Sequence, residues 1–293
     1  MQIITRCAAI LMLLLGALRS EGQVIRFGVI ADIQYADADT RGTRLYRYSV
    51  QKLKTAVADL NKQKLPFLIN LGDVVDRNPA DFAPVLEALR KFRRPVYNTT
   101  GNHDYHGITS NDSLYRLLDM PAEYYAFKKG NWRFIMLNTN EVAAYANVKG
   151  TPREQELREM MEKIKERKGR NGAEYNGGIS SAQMNWLQGQ LEDAQQKGEL
   201  VLVLSHHPLG CATGLTALND QEIVALLAKY SSVKALISGH HHAGAFCMVG
   251  KLPCIVLEGM VETDENSYGT IALHPDKLVI TGSGRMTSRT VQF

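Results

Sequence analysis

Val24-Ile25-Arg26-Phe27-Gly28-Val29-Ile30-Ala31-Asp32-Ile33-Gln34 is an apolar, β-branched run that stops at two polar side chains two residues apart. A short run of this kind reads as a strand buried on both faces. Asp32 and Gln34 then stand just beyond its carboxyl end. The same pairing returns along the chain. The run 67–71 precedes Gly72-Asp73-Val74-Val75-Asp76, the run 200–204 precedes Ser205-His206-His207, and the run 233–237 precedes Gly239-His240-His241-His242. Gly101-Asn102-His103-Asp104 and Leu257-Glu258-Gly259 are two further clusters of this type, the second closing the run 254–257. Runs at 132–137, 270–273 and 278–281 complete the expected strands.

Helical patterns lie between the early runs. Leu53, Ala56, Val57 and Leu60 repeat at i, i+3, i+4, i+7, as do Phe82, Val85, Leu86 and Leu89. Strand and helix in alternation predict an α/β fold whose sheets are covered by helices. Thr151-Pro152 opens a strongly charged helix whose apolar stripe is Leu157, Met160, Met161 and Ile164. Its charges, from Arg153 to Arg170, read as a solvated face. Ser180 precedes Gln183 by three residues, a capping box that opens a helix through Trp186, Leu187 and Leu191. Repeats, low-complexity tracts and linkers are absent from the sequence.

The chain has 293 residues and a formal charge of +4. Residues 1–22 read as a secretory signal: Arg6 is followed by an apolar stretch, Cys7 to Leu18, and by small residues at Ser20 and Gly22. That stretch is too short to span a bilayer. Expected, therefore, are an exported protein, periplasmic or extracellular, and one domain over residues 23–293. Without Arg6, Arg19 and Glu21 the charge is +3, and the remaining charges read along the sequence as alternating in sign. Neither nucleic-acid binding nor stable membrane association beyond the export signal is expected. Cys211, Cys247 and Cys254 would remain, an odd number without metal-type spacing. If Gly250-Lys251 is a two-residue turn, Cys247 faces Cys254 across a hairpin, where a bridge and two free thiols are both open readings.

In open α/β sheets ligands gather beyond the carboxyl ends of strands, which is where the polar clusters stand. A pair of metal ions needs one bridging ligand and a set of terminal ones. Asp73 is the natural bridge. Asp32 and Gln34 are alternate residues and project to one side, His240 and His242 repeat that spacing, and His206 and Asn102 complete the count. Carboxylate, amide and imidazole together suit manganese, iron or zinc better than calcium or magnesium, which prefer oxygen shells.

The order Asp-x-Gln, Gly-Asp-x-x-Asp, Gly-Asn-His-Asp, His, Gly-His-x-His resembles the calcineurin-like metallophosphoesterase superfamily over the whole mature chain. Most members carry Asp-x-His first, and Gln34 departs from that pattern. Gln34 in its context Gly28 to Tyr35 is similar to the manganese-dependent ADP-ribose/CDP-alcohol diphosphatase branch. So are Arg44-Leu45-Tyr46-Arg47-Tyr48-Ser49, Asn176-Gly177-Gly178-Ile179-Ser180, Gln183-Met184-Asn185-Trp186-Leu187, Leu257-Glu258-Gly259-Met260-Val261-Glu262-Thr263, Pro275-Asp276-Lys277 and Gly282-Ser283-Gly284-Arg285. The resemblance implies a sandwich of mixed β-sheets flanked by helices. It implies two divalent ions, manganese first among them, one on Asp32, Gln34, Asp73 and His242 and the other on Asp73, Asn102, His206 and His240.

His103 then remains to protonate the leaving oxygen, with Asp104 to orient it and Asp76 in support. His207, His241, His106 and His274 are assigned to packing. The reaction implied is attack of a metal-bridging hydroxide on a diphosphate-linked nucleotide such as ADP-ribose or a CDP-alcohol, the loop 209–219 shaping substrate preference. A broad phosphomonoesterase or phosphodiesterase and a catalytically inactive metal-bearing binding protein are the competing readings.

Overall fold

The computed structural model describes residues 24–293, so the export segment expected at 1–22 lies outside the described residues. In chain order the elements are β1 (Ile25–Ile30), α1 (Tyr46–Lys62), β2 (Leu68–Asn70), α2 (Phe82–Leu89), β3 (Val96–Asn98), α3 (Asn111–Leu117), β4 (Tyr125–Lys129), β5 (Trp132–Met136), α4 (Pro152–Glu166), α5 (Ser181–Gln196), β6 (Leu200–Ser205), α6 (Asp220–Leu227), β7 (Val233–Ser238), β8 (Ala243–Val249), β9 (Leu252–Glu258), β10 (Ser267–Leu273), β11 (Lys277–Gly284) and β12 (Arg289–Gln292). They form two six-stranded mixed sheets, ordered β12-β11-β10-β1-β2-β3 and β4-β5-β6-β7-β9-β8. The parallel strands include hydrophobic runs of the sequence, β1 and β2 in the first sheet and β5, β6, β7 and β9 in the second, while β3, which no run marks, adds in parallel to β2.

The sheets face each other through aromatic side chains. Phe27 of β1 stacks on Phe67 at 4.9 Å between ring centres, and Phe134 of β5 meets both edge-on at 5.4 Å. Leu53, Ala56, Val57 and Leu60 of α1 cover the outer face of the first sheet; a β-carbon on Gly28 would lie 3.3 Å from Leu60, so glycine lets helix and strand close up. α5 and α6 cover the second sheet through Leu187, Leu191, Ile223 and Leu227, packed with Val201 and Val203. The doubly buried strands and the face-covering helices follow from the apolar periodicities.

Two expectations change in detail. Ser180 caps α5, its hydroxyl accepting the Gln183 N–H at 3.1 Å, but the Gln183 side chain does not close the box. It serves residues 138–141 instead, accepting from the Asn138 N–H and donating to the Asn138 carbonyl and the Glu141 carboxylate. The second change concerns sulfur. Gly250 and Lys251 do make the turn between β8 and β9, and Cys247 does face Cys254, yet Cys247 is bonded to Cys211. Cys254 keeps a buried free thiol, which burial pushes up to about 11. The 209–219 segment folds over the hairpin and brings the Cα of Cys211 to 5.9 Å from that of Cys247. Local register could not reveal that partner.

Candidate metal centre

β1, β2, β3, β6 and β7 all end at one edge of the sandwich, and the segments after them carry Asp32 and Gln34, Asp73, Asn102, His206, and His240 and His242. The backbone ties these segments together. Asp32 and Gln34 donate N–H bonds to the carbonyls of Gly72 and Asp73, Gly239 donates to His206, and the His240 N–H reaches Asp32 Oδ1 at 2.9 Å. Among the described residues, four of the ten non-glycine residues with positive φ are Asp32, Gln34, Asp73 and His240. This region is costly for side-chain-bearing residues and persists where surrounding structure enforces it. Neighbouring glycines leave the space: a β-carbon on Gly101 would sit 2.1 Å from Asp73 Oδ1, and one on Gly239 would sit 2.7 Å from Asp32 Oδ2.

The donor atoms fall into two adjoining groups. Asp32, Asp73 and His242 place ligand atoms within 4.8 Å of one another, and so do His206, His207 and His240. Asp73 reaches the second group, its Oδ2 lying 3.5 Å from His206 Nε2. That nitrogen is also 3.1 Å from Asn102 Oδ1 and 3.2 Å from His240 Nδ1.

Hydrogen bonding on the far side of each ring fixes its tautomer. His206 Nδ1 contacts the Leu71 carbonyl at 2.8 Å, His240 Nε2 contacts Asn176 Oδ1 at 3.2 Å, and His242 Nδ1 contacts Glu262 Oε1 at 2.7 Å. Each outer nitrogen therefore carries the proton, and the inner nitrogens of the neutral rings present lone pairs. His206 Nε2 and His240 Nδ1 then face each other, and Asn102 Oδ1 and Asp73 Oδ2, as acceptors. Acceptors converging without a proton between them require a cation. Gln34 Oε1 adds to this: it is buried and has no hydrogen-bond partner, while its amide nitrogen donates to Asp76 Oδ1 at 2.8 Å. A donor set of carboxylate, amide oxygen and imidazole thus fits a pair of borderline divalent ions.

Electrostatics agree. Burial opposes charge on Asp32, but His242, His206 and the His240 N–H outweigh it and hold its carboxyl below the usual range. Burial likewise opposes charge on His242, yet Asp32 and Glu262 raise it to about 9. Between two carboxylates, the ring sits where positive charge is favoured, which a cation on its inner nitrogen would supply. Burial and the neighbouring imidazoles drive His240 well below its ordinary value, keeping its lone pair available.

The remaining site residues divide. His103 lines the cavity, but Asp104 does not hold it. Its Nδ1 contacts the Asp76 carbonyl at 2.8 Å and Asp76 Oδ1 at 3.3 Å. Asp104 instead accepts the N–H groups of Val74, Val75 and Gly101, and so fixes the backbone on either side of Asp73 and Asn102. His207 is packed away as expected, with Nδ1 on Thr139 and Nε2 on the Tyr175 carbonyl. His106 and His241, assigned to packing, in fact line the cavity. His274 lies half-buried in the β10–β11 turn.

Sequence reasoning gave no role to Arg44, Asn176, Glu262 or Arg285, although each lies in a stretch that carries the resemblance. Glu262 holds His242 and in turn accepts from Thr43 and Arg44. Arg285 donates to the carbonyls of Gly259 and His242. The cavity above the donors is about 540 Å³ and also includes Tyr175, Leu215 and Ala243 in its walls.

Two facing mixed sheets with a paired-cation donor set at their carboxyl edge define a dinuclear phosphoesterase architecture. The calcineurin-like phosphoesterase family profile matches residues 25–244. A manganese-dependent ADP-ribose/CDP-alcohol diphosphatase of Arabidopsis thaliana is 33% identical, covering 89% of this chain and 95% of its own, and that of Oryza sativa subsp. japonica is 31% identical, covering 94% and 96%. Among solved structures, a dimetal phosphatase from Danio rerio superposes with a TM-score of 0.83 at 25% identity, over 92% of this chain and 99% of its own. The chain belongs to the calcineurin-like phosphoesterase family and is a metal-dependent hydrolase.

Proposed function

We propose that the protein hydrolyses the diphosphate link of nucleotides of the ADP-ribose or CDP-alcohol type, releasing a nucleoside monophosphate and the phosphorylated second half. The observation that carries this reading is the cavity. It joins the donor set to Arg44 on one wall and Tyr175 on another, and its size suits a small organic ligand. A second phosphoryl group beside the reacting one has a guanidinium to meet, and the half-exposed Tyr175 offers a ring to a base. The names of the relatives support the same substrate class.

Asp32, Gln34, Asp73 and His242 would hold one ion, and Asp73, Asn102, His206 and His240 the other. When bound, such ions bring the pKa of a coordinated water toward neutrality and stabilise charge on the phosphoryl oxygens. The chain's own residues do the rest. Arg44 orients the diphosphate, and His103, steered through Nδ1 by Asp76, presents Nε2 to the leaving oxygen. One P–O bond forms from water and one breaks, with the departing phosphate protonated by His103.

Incubating the purified protein with manganese and a panel of ADP-ribose, CDP-choline, nucleoside monophosphates and a nitrophenyl phosphodiester, and reading products by mass spectrometry, tests the reading. Nucleoside monophosphate plus a phosphorylated partner is expected from the diphosphates. Faster release of inorganic phosphate from the monophosphates would favour the broad phosphomonoesterase instead. Export belongs to this proposal as well: the order Arg6 then apolar 7–18 supports it, and so does the Cys211–Cys247 bridge, a bond that persists in oxidising compartments. Amino-terminal sequencing of protein from cell fractions checks it, with a start near residue 23 expected.

A further inference from the structure

α1 and α2 lead away from the metal centre. Gln63, just past α1, accepts from Arg26 near the start of β1 at 2.7 Å, and the segment after α2 runs into the start of β3. Between the carboxyl halves of the two helices lies a groove of about 620 Å³, with Lys54, Lys62, Lys91 and Arg93 over an apolar floor that includes Val57 and Ala88. Asn61 pins the walls together, donating to the Lys91 carbonyl at 2.9 Å and accepting the Arg93 N–H at 3.0 Å. Among the described residues no carboxylate lines the groove, and the ion pair these four cations make is Lys62 with Asp59, at 3.9 Å.

The charge is concentrated. Segments 54–64 and 87–94 hold seven basic and two acidic residues, a net of +5, whereas the whole of residues 24–293 carries +3. The rest of the fold is therefore at −2. Charges that read as dispersed along the sequence are gathered at one end because α1 and α2 pack side by side.

We propose that this end of the molecule docks on an anionic phospholipid surface, with the metal cavity facing away into solvent. The groove combines the two chemistries of a leaflet boundary. Cationic heads meet lipid phosphates, while the aliphatic stems and the exposed Ala58 face the first methylenes. Its lining has no aromatic ring on which a nucleic-acid base could stack, which separates it from single-strand binding grooves. Docking here leaves the substrate entrance open, since the cavity lies at the opposite edge of the first sheet.

Co-sedimentation of the full chain with vesicles of phosphatidylcholine alone, or with about 30% phosphatidylglycerol, reads the interaction. A cation held near an anionic leaflet raises partitioning about fivefold, so the anionic vesicles should bind at least about tenfold more protein at about 50 mM salt. At about 0.5 M salt that ratio should fall below about threefold. The variant K54Q/K62Q/K91Q/R93Q should fall as far at low salt, with turnover and melting temperature kept. The pairs K54Q/K62Q and K91Q/R93Q should each lose part of the ratio, and either can be scored if the quadruple variant misfolds. K149Q/K163Q/K165Q/K168Q, an equal charge change elsewhere, should keep most of it. Equal binding to both vesicles, a ratio retained in the groove variants, or an equal loss in the control would overturn the proposal. So would tighter binding to duplex DNA than to anionic vesicles at the same salt.

Discussion

At Gln34 the side chain splits its two ends between different tasks. Its nitrogen donates to Asp76, whose carbonyl also receives His103, and its oxygen is left buried and free. An amide oxygen is a harder ligand than imidazole. Gln34→His should therefore shift the activating preference from manganese toward zinc or nickel. An activation series across the four ions Mn, Co, Zn and Ni would show an unchanged order if the side chain is not a ligand.

His103 depends on the same Asp76, through its Nδ1. His103→Ala should retain both metal equivalents and lose roughly 10² to 10⁴ in turnover, the range for a positioned general acid. The loss should shrink for a nitrophenolate leaving group, which needs little protonation, and equal losses on both substrates would remove the acid role. Arg44 lines the cavity and pairs with Glu262. Arg44→Ala should lower kcat/KM for ADP-ribose at least about tenfold, as loss of a charge-assisted phosphate contact implies, and change that for a nitrophenyl phosphodiester less than about threefold. A uniform loss would mean that Arg44 acts by holding Glu262 and not by meeting the second phosphate.

The loop between β9 and β10 shows how a helix far from the cavity positions a candidate ligand. Lys52 of α1 is 3% exposed, and its ammonium donates to the carbonyls of Glu262, Thr263 and Glu265 at 2.9, 2.8 and 3.3 Å. Those bonds hold Glu262 against His242. Burial, then the charge of Arg285, lowers Lys52 to about 8 from an ordinary 10.5. With the folded value depressed, the unfolded chain holds more protons between those values, and stability attributable to Lys52 rises as pH climbs from about 8 to 10.5. Below the folded value that increment is absent. Lys52→Met should flatten this rise in denaturant titrations at several pH values and cost about 2 kcal/mol at pH 7 from carbonyls left unpaired. A variant whose stability rises over the same window as wild type would put the titration elsewhere. The helices α1, α2, α4 and α5 are legible because their apolar stripes are regular; α3 and α6 are not among the predicted elements. β3 is three residues after Pro95, β4 ends in two lysines, and β8 alternates exposed and half-buried residues at a sheet edge. Such strands owe their pairing to neighbours more than to their own composition.

Across the whole molecule, the Cys211–Cys247 bridge fastens the 209–219 segment, which supplies Leu215 to the cavity wall, to the β8–β9 hairpin. The cysteines are 36 residues apart. A cross-link of that span removes roughly 3 to 4 kcal/mol of unfolded-state freedom in the chain-entropy treatment. Cys211→Ser with Cys247→Ser should lower stability by up to that amount and speed amide exchange over 209–219, with smaller changes in the β1–β3 core. Uniform exchange across both regions would show that the bridge stabilises the fold without ordering this wall.

Two features are legible without any fold: candidate donors standing at strand ends and the layered α/β plan. Both rest on local signals, since apolar periodicity and a polar residue directly after a strand survive without any knowledge of partners. Asp32, Gln34, Asp73, Asn102, His206, His240 and His242 could be named for that reason. Tertiary structure alone decided which distant groups meet. Asp76, not Asp104, orients His103; Glu262 backs His242; Cys211, not Cys254, takes Cys247; and α1 with α2 collects the scattered cations at one end. Each of these contacts joins side chains through the packing of whole elements, and no spacing along the chain encodes that distance.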